Sequence, residues 1–67
     1  MKFFIKYFLM NVSVVIPSLN SGKELKRCLA SLTPQLNGED EIIVVDGGSE
    51  DETLKIAYDQ GCRIFIY

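Results

Sequence analysis

The chain has no histidine, and Cys28 and Cys62 are its only thiols among 67 residues. A zinc site that uses histidine is therefore excluded, and two thiols are too few for an all-cysteine site. Without histidine, a Ser-His-Asp triad cannot be assembled from this chain either. Cys28 falls on the apolar side of a predicted helix and Cys62 opens an apolar strand, so we expect both to be small core residues rather than a disulfide.

Charge of one sign and long apolar runs are also scarce. The net charge is −2, so the chain lacks the excess of positive charge that is typical of nucleic-acid-binding proteins, and we expect no nucleic acid partner. No window of about 18 residues is free of polar breaks, which argues against a transmembrane helix. A chain of this size buries only about 60% of its unfolded surface, which predicts one small domain of marginal stability.

Residues 1–10 form an apolar segment that carries two lysines. Lys6 breaks the uninterrupted run that a signal peptide needs, so cleavage is not favoured. We interpret the segment as an N-terminal extension upstream of a natural start at Met10. An added strand and a loose membrane-surface contact are the alternatives. The expected location is the cytoplasm, with the inner face of the membrane as its alternative.

The remaining residues, 11–67, alternate between apolar strands and amphipathic helices. The first strand is expected over Val12–Ile16 and is stopped by Pro17, which cannot donate to a ladder. The second is Ile42–Val45, and the third runs over Cys62–Tyr67. Such alternation predicts an α/β fold with a parallel sheet in the order β-α-β-α-β, half of a three-layer, Rossmann-like domain.

Two helices are expected between these strands. Ser21 and Glu24 have the spacing of a capping box at the first helix, and Ser49 and Glu52 have it at the second. Apolar side chains then recur at helical spacing: Leu25, Cys28, Leu29 and Leu32 in the first helix, and Leu54, Ala57 and Tyr58 in the second. Pro34 ends the first helix, and a glycine in the left-handed conformation ends the second.

Small polar residues follow the first two strands. Ligands of open parallel sheets bind at the carboxyl ends of the strands, where Pro17–Ser21 and Asp46–Ser49 are expected to lie. Asp46 comes directly after its strand, where it would accept hydrogen bonds from a ribose or a base. The alternative is a turn residue, because Asp before Gly-Gly fixes a turn through its own side chain. Spacing alone does not decide between the two.

Three familiar motifs are absent from these loops. Gly22-Lys23 is followed by Glu24 and has no upstream glycine at the P-loop distance. A dinucleotide fingerprint needs three glycines after the first strand, where only Gly22 stands. Gly47-Gly48-Ser49 does not match the G-x-S-x-G of an α/β-hydrolase.

Two segments resemble family 2 glycosyltransferases. Val12–Asn20, with the sequence VSVVIPSLN, is similar to the V-S-V-V-I-P-[ST]-[YL]-N with which those enzymes often begin. Glu41–Thr53, with the sequence EIIVVDGGSEDET, is similar to their E-I-I-V-V-D-[DGN]-G-S-x-D-x-T segment. The separation of the two motifs also matches, and the resemblance covers nearly everything from Met10 onward.

The resemblance implies a GT-A fold whose front half is a nucleotide-binding unit. Carried over by position, a UDP- or GDP-sugar would contact Pro17, Ser18, Leu19 and Asn20 in the base pocket, and Asp46 with Gly47 and Gly48 at the nucleoside. Two positions depart from the family pattern. Leu19 stands where many members have a tyrosine that stacks on the base, and Gly47 stands where many have a second aspartate. Both departures leave the donor nucleotide open.

The resemblance further implies a Mg²⁺ or Mn²⁺ ion held by an Asp-x-Asp motif, and a carboxylate base, both on later segments than this chain contains. The acidic triplets Glu39–Glu41 and Glu50–Glu52 are better explained as a solvated turn and a helix start. We therefore expect the nucleotide-sugar-binding portion of an inverting glycosyltransferase, inactive alone. The alternative is a non-enzymatic module that binds a nucleotide or associates with its own copies through an open sheet edge.

Overall fold

The computed structural model describes residues 4–8 and 11–67. Its elements are β1 (Phe4–Phe8), β2 (Asn11–Ser18), α1 (Gly22–Leu32), β3 (Glu41–Asp46), α2 (Thr53–Asp59) and β4 (Arg63–Ile66), with a short 3-10 turn at Thr33–Gln35. The predicted β-α-β-α-β order is confirmed from β2 to β4.

The strands form one sheet in the order β1-β2-β3-β4. β2, β3 and β4 are parallel, whereas β1 pairs antiparallel with β2. The register places Ser18 opposite Asp46 and Asp46 opposite Ile66, so the three parallel strands end level with one another. The loops after β2 and β3 therefore meet at one edge of the sheet.

One face of the sheet carries the core. The buried apolar residues are Val14, Ile16 and Val44 of the strands and Leu25, Leu29, Leu32 and Ala57 of the helices. Buried strand positions lie two residues apart because alternate side chains point to the same face. The two helices also pack against each other, so both cover this one face.

The described residues supply two of the three predicted layers. A right-handed crossover places its helix on a fixed side of the sheet. Two crossovers that run in the same direction, from β2 to β3 and from β3 to β4, therefore place both helices on the same side. A helix on the opposite face would need a crossover in the other direction.

β2 continues through Pro17 to Ser18, two residues past the predicted end at Ile16. The carbonyl of Ser18 accepts a hydrogen bond from the N–H of Gly47, on the β3 side. The backbone N–H and C=O groups of successive strand residues point to opposite neighbouring strands. The nitrogen of Pro17 therefore faces the β1 side. Within the described residues, pairing with β1 reaches only Val15. The proline therefore removes no ladder bond there.

Neither predicted capping box forms. Ser21 is the N-cap of α1 without a side-chain cap bond, and its hydroxyl donates to the carbonyl of Leu19 at 2.8 Å. α2 begins at Thr53, and the hydroxyl of Ser49 bonds to Asp46 instead. The Ser21 and Ser49 hydroxyls bond to residues two and three positions earlier in the chain. At α1, the N–H groups of Ser21 and Gly22 donate instead to Thr53 and Asp51, about 30 residues away.

The predicted helix ends are confirmed, but the predicted face of α2 is partly wrong. α1 ends at Leu32, and Gly61 has a φ of +76° after α2. The expected cause at α1 is wrong, because Thr33 keeps helical backbone angles and Pro34 lies within the 3-10 turn. Tyr58 is 76% exposed rather than packed. Because α2 starts at Thr53, the side chains of Thr53 and Ala57 occupy its buried face.

Part of the first ten residues belongs to the sheet. Phe4–Phe8 forms β1, so the added-strand alternative describes these residues. Met10 lies outside the described residues. A start at Met10, the boundary after residue 10, a membrane contact and the cytoplasmic location stay predictions.

Within residues 4–8 and 11–67, no helix is long and apolar enough to cross a membrane. The two thiols are free, and Cys28 and Cys62 are half-buried against the core, as expected for small core residues. Burial raises the pKa of both thiols.

Candidate functional site

Two loops are joined at the carboxyl ends of β2 and β3. Ser18 and Asp46 are paired in the register, and the backbone N–H of Gly47 donates to the carbonyl of Ser18 at 2.9 Å. The polar residues that follow each strand therefore face one another, in the position where open parallel sheets bind ligands.

Asp46 is completely buried at this edge, and its carboxylate accepts four hydrogen bonds. Oδ1 accepts from the hydroxyls of Ser18 at 2.7 Å and Ser49 at 2.6 Å. Oδ2 accepts from the backbone N–H groups of Gly48 at 2.9 Å and Ser49 at 2.6 Å. Burial by itself raises the pKa of this carboxyl, but the bonds from Ser49, Ser18 and Gly48 outweigh burial and hold the pKa at about 2.

These contacts give Asp46 the turn role that the sequence left open. A carboxylate offers about four acceptor positions, and bonds from the chain itself use all of them. The N–H groups of Gly48 and Ser49 bend the loop around the charge. Contact between Asp46 and a nucleoside stays a prediction, and it would require one of these bonds to be shared or exchanged.

Asn20 links the loop after β2 to the loop after β3. Its φ is +45°, in the left-handed region that asparagine tolerates better than most side chains. Its backbone N–H donates to Oγ of Ser49 at 2.8 Å, and its Oδ1 accepts from the N–H of Glu50 at 2.7 Å. The two bonds run in opposite senses between the loops, so they fix the relative position of both.

Asp51 connects the starts of the two helices. Its Oδ2 accepts from the N–H of Gly22 at 3.2 Å, and its Oδ1 accepts from the N–H of Thr53 at 2.9 Å and from the Thr53 hydroxyl. The same hydroxyl accepts from the N–H of Ser21 at 3.0 Å. The bonds from Thr53 hold the pKa of Asp51 below its ordinary value. Asp51 and Thr53 thus satisfy free N–H groups at the starts of both helices, including that of Ser21, which the first capping box was expected to satisfy.

Ser49 and Asp51 were not among the predicted site residues. The sequence placed them as a helix cap and as an acidic helix start, because only contacts close in sequence can be inferred from spacing. A partial signal was present, since Asp51 precedes Thr53 by two residues and aspartate is favoured at helix N-termini. Their bonds to Asn20 and Gly22 span 29 residues and carry no local pattern.

The predicted site residues all lie at the carboxyl ends of β2 and β3 or on the loops that follow them, but they differ in exposure. Pro17, Leu19, Asn20 and Gly48 are exposed, Gly47 is half-buried, and Ser18 and Asp46 are buried. Leu19 is 56% exposed, so its side chain is available to a ligand. The two buried residues, Ser18 and Asp46, bond to each other beneath the surface. The exposed residues form the outer surface of the site.

A cavity of about 300 Å³ lies at the opposite end of the sheet. Its lining includes Asn37, Asp40, Gln60 and Arg63. These residues precede β3 and β4 or begin β4, so the cavity is at the amino ends of the strands. Parallel sheets bind ligands at the other end, and we do not assign this cavity to the site.

The acidic residues do not fit a metal site. Across the described part of the chain, no group of three or more Asp, Glu or Cys side chains is arranged to hold an ion. Asp40 accepts from the N–H of Val12 at 2.9 Å, and Glu41 pairs with Arg63 at 3.2 Å. These carboxylates serve the fold, so we derive no chemistry from a metal bound to this chain.

The fold and the joined loops define an α/β domain whose polar surface gathers at the carboxyl ends of parallel strands. The chain belongs to glycosyl transferase family 2, whose family model matches residues 13–66. The resemblance found in the two sequence motifs is confirmed, and with it the α/β fold class.

Curated relatives carry glycosyltransferase names. The chain is 51% identical over 45 residues to the PGL/p-HBAD biosynthesis glycosyltransferase of Mycobacterium bovis (strain BCG / Pasteur 1173P2), a match that covers 67% of this chain and 18% of the relative. It is 40% identical over 60 residues to the glucosyl-3-phosphoglycerate synthase of Petrotoga mobilis, covering 84% of this chain and 18% of the relative. The chain thus spans about a fifth of the length of these relatives.

Solved structures of glucosyl-3-phosphoglycerate synthase from Mycobacterium tuberculosis share the fold. A complex with UDP matches with a TM-score of 0.69 at 36% identity, over 81% of this chain and 20% of that chain. A complex with Mn²⁺, UDP-glucose and glycerol 3-phosphate matches with a TM-score of 0.68 at the same identity and the same coverage of each chain.

Proposed function

We propose that this chain binds the nucleotide of a nucleoside-diphosphate sugar, with UDP favoured over GDP, as the donor-binding part of a family 2 glycosyltransferase. The observation that carries the proposal is the joined pair of loops at the carboxyl ends of β2 and β3. Support for uridine comes from the UDP-bound relatives, which are 36% identical to this chain over 81% of its length.

The proposed site works through a preorganised loop rather than through a free carboxylate. Asp46 is ionised and fully bonded, so its charge holds Gly48 and Ser49 in place. Asn20 is held against Ser49 by the same network. A ligand then meets backbone and side chains that need little reordering, which lowers the entropy cost of binding.

The test is a titration of the isotopically labelled chain with UDP, GDP and inorganic pyrophosphate, each with and without Mn²⁺. We expect UDP to shift the amide resonances of Leu19, Asn20, Gly47 and Gly48 in a saturable way. Gly38 and Gly61, at the amino ends of the strands, serve as internal controls and should not move. Equal shifts at both ends, or none on a folded chain, would contradict the proposal.

A second candidate is self-association of a non-enzymatic module. Large apolar side chains are exposed at the end of the described residues: Phe65 at 50%, Ile66 at 63% and Tyr67 at 79%. Apolar surface of this kind favours contact with another molecule. Light scattering over a range of concentrations tests it, and a constant monomer mass would reject this candidate without affecting the first.

A further inference from the structure

Leu19, Gly47 and Tyr67 lie side by side across the three parallel strands. Each comes one position after a residue of the last paired row, which is Ser18, Asp46 and Ile66. The ladder continues into this next row, because the N–H of Gly47 donates to the carbonyl of Ser18 and the N–H of Tyr67 donates to the carbonyl of Asp46, both at 2.9 Å. The three residues therefore form a short row of their own.

This row faces away from the helices. Ser18 and Asp46 are buried on the helix side, and successive residues of extended backbone point to opposite faces. A Cβ atom on Gly47 would lie 3.5 Å from the hydroxyl oxygen of Tyr67 and 3.6 Å from Cδ1 of Leu19. The two side chains therefore approach each other over a residue that has no side chain.

The resulting surface is apolar, open and partly aromatic. Leu19 is 56% exposed and Tyr67 is 79% exposed. The polar network of Asp46 and Ser49 lies directly beside it, so an apolar patch and a hydrogen-bonding loop share one edge of the sheet. A nucleotide has the same division, since its base is flat with an apolar face and its ribose and phosphates are polar.

We propose that the ring of Tyr67, at the end of this row, supplies the aromatic face on which the nucleobase stacks. The proposal rests on the nucleotide-binding function above and names a contact that the sequence did not predict. Stacking on an aromatic side chain is available to any base because every base has a π face. Uracil is the base chosen, because the solved relatives hold UDP.

The test compares UDP binding by the 67-residue chain and three variants. Tyr67→Ala removes the ring, Tyr67→Phe keeps it, and Tyr58→Ala removes an equally exposed tyrosine, 76% accessible, from α2. We expect Tyr67→Ala to weaken UDP binding roughly 5- to 150-fold, as loss of one base–aromatic stack does. Tyr67→Phe and Tyr58→Ala should bind like the parent chain.

A ligand without a base separates stacking from a general disturbance. Inorganic pyrophosphate should bind the parent chain and Tyr67→Ala equally, however weakly, because it lacks the stacked group. In the parent complex, NOEs should join the Tyr67 ring protons to H5 and H6 of uracil. Far-UV circular dichroism confirms that each variant is folded, and Tyr67 is exposed enough for its removal to leave the core intact.

The outcomes distinguish this inference from the function on which it rests. If the parent chain does not bind UDP, both are overturned. If the parent and Tyr67→Ala bind UDP equally, the nucleotide site stands and the role of Tyr67 is overturned. If Tyr67→Ala changes only the oligomeric mass and not the UDP affinity, the row is a contact between copies and the inference is again overturned.

Discussion

Ser49 donates to both oxygens of Asp46, from its backbone N–H to Oδ2 and from its hydroxyl to Oδ1, each at 2.6 Å. Its hydroxyl oxygen also accepts from the N–H of Asn20 at 2.8 Å. Ser49 therefore links the buried carboxylate of Asp46 to the loop after β2 through hydrogen bonds. The arrangement makes Ser49 the residue on which the geometry of the site depends most directly.

Ser49→Ala tests that dependence. The substitution removes one bond to a buried carboxylate and leaves the Asn20 N–H without this acceptor, so we expect a loss of about 1 to 3 kcal/mol in the free energy of unfolding. UDP binding should weaken as well, because the loop after β2 loses its anchor. Urea unfolding and a UDP titration measure the two effects. Ser31→Ala, on the exposed side of α1, is the matched control, and equal effects of the two substitutions would contradict the role of Ser49.

Acid should weaken the fold through Asp46. Its pKa is lowered from 3.8 to about 2 in the folded chain, so its ionised form contributes stability that is present above about pH 4. That contribution is lost as the pH falls from about 4 toward 2, because the folded state must then take up a proton that the unfolded state already holds.

The measurement compares the parent chain with Asp46→Asn in urea unfolding at several pH values. Asp51, whose pKa is also lowered, contributes to the same acid loss in both proteins and cancels in the comparison. We expect the parent chain to lose more stability than Asp46→Asn between pH 4 and 2. If the free energy of unfolding falls equally with pH in both proteins, Asp46 does not supply the pH dependence.

Asp51→Ala and Glu24→Ala give opposite expectations from sequence and structure. A capping box at α1 would make Glu24 important, whereas the structure assigns the N–H groups at the helix starts to Asp51 and Thr53. We expect Asp51→Ala to lower the urea midpoint and Glu24→Ala to leave it nearly unchanged. Thermal unfolding provides a second measure of stability. A larger loss for Glu24→Ala than for Asp51→Ala would support the capping box predicted from the sequence.

Gly48→Ala tests the backbone of the loop. Gly48 has a φ of +102°, a conformation that L side chains rarely adopt, so alanine should cost about 1 to 3 kcal/mol of stability. Nothing lies within 4 Å of a Cβ at Gly48 or at Gly38, so neither substitution meets a steric clash. Gly38 has no positive φ and is the control, and equal urea midpoints for the two variants would rule out the backbone effect.

The apolar spacing of α1 could be recognised because its cause is local. Leu25, Leu29 and Leu32 lie on one side of any α-helix, and burial of that side follows from their chemistry. The glycine after α2 is similar, since a left-handed residue at that point depends only on the chain beside it.

The partners of Asp51 and Asn20 could not be recognised in the same way. Asn20 bonds to Ser49 and Glu50, and Asp51 bonds to Gly22, each across about 30 residues of chain. Nothing in the spacing of α1 indicates that a carboxylate from another loop will reach its first turn. At α1 the local alternative, Glu24, matched a known pattern, but the N–H groups of Ser21 and Gly22 bond to Thr53 and Asp51 instead. At α2 the partner is local, because the N–H of Thr53 donates to Asp51 two residues earlier.

The sequence by itself determined the order of strands and helices, the two loops that carry the polar residues, and membership of glycosyl transferase family 2. Those features depend on periodicity, on turn residues and on motifs, all of which are properties of neighbouring residues. The tertiary structure alone decided that both helices cover one face, that Ser18 bonds to Asp46 across two strands, and that Tyr67 meets Leu19 over Gly47. Each of these depends on the register of β2, β3 and β4, because register sets which residues from distant parts of the chain lie within hydrogen-bonding or van der Waals distance.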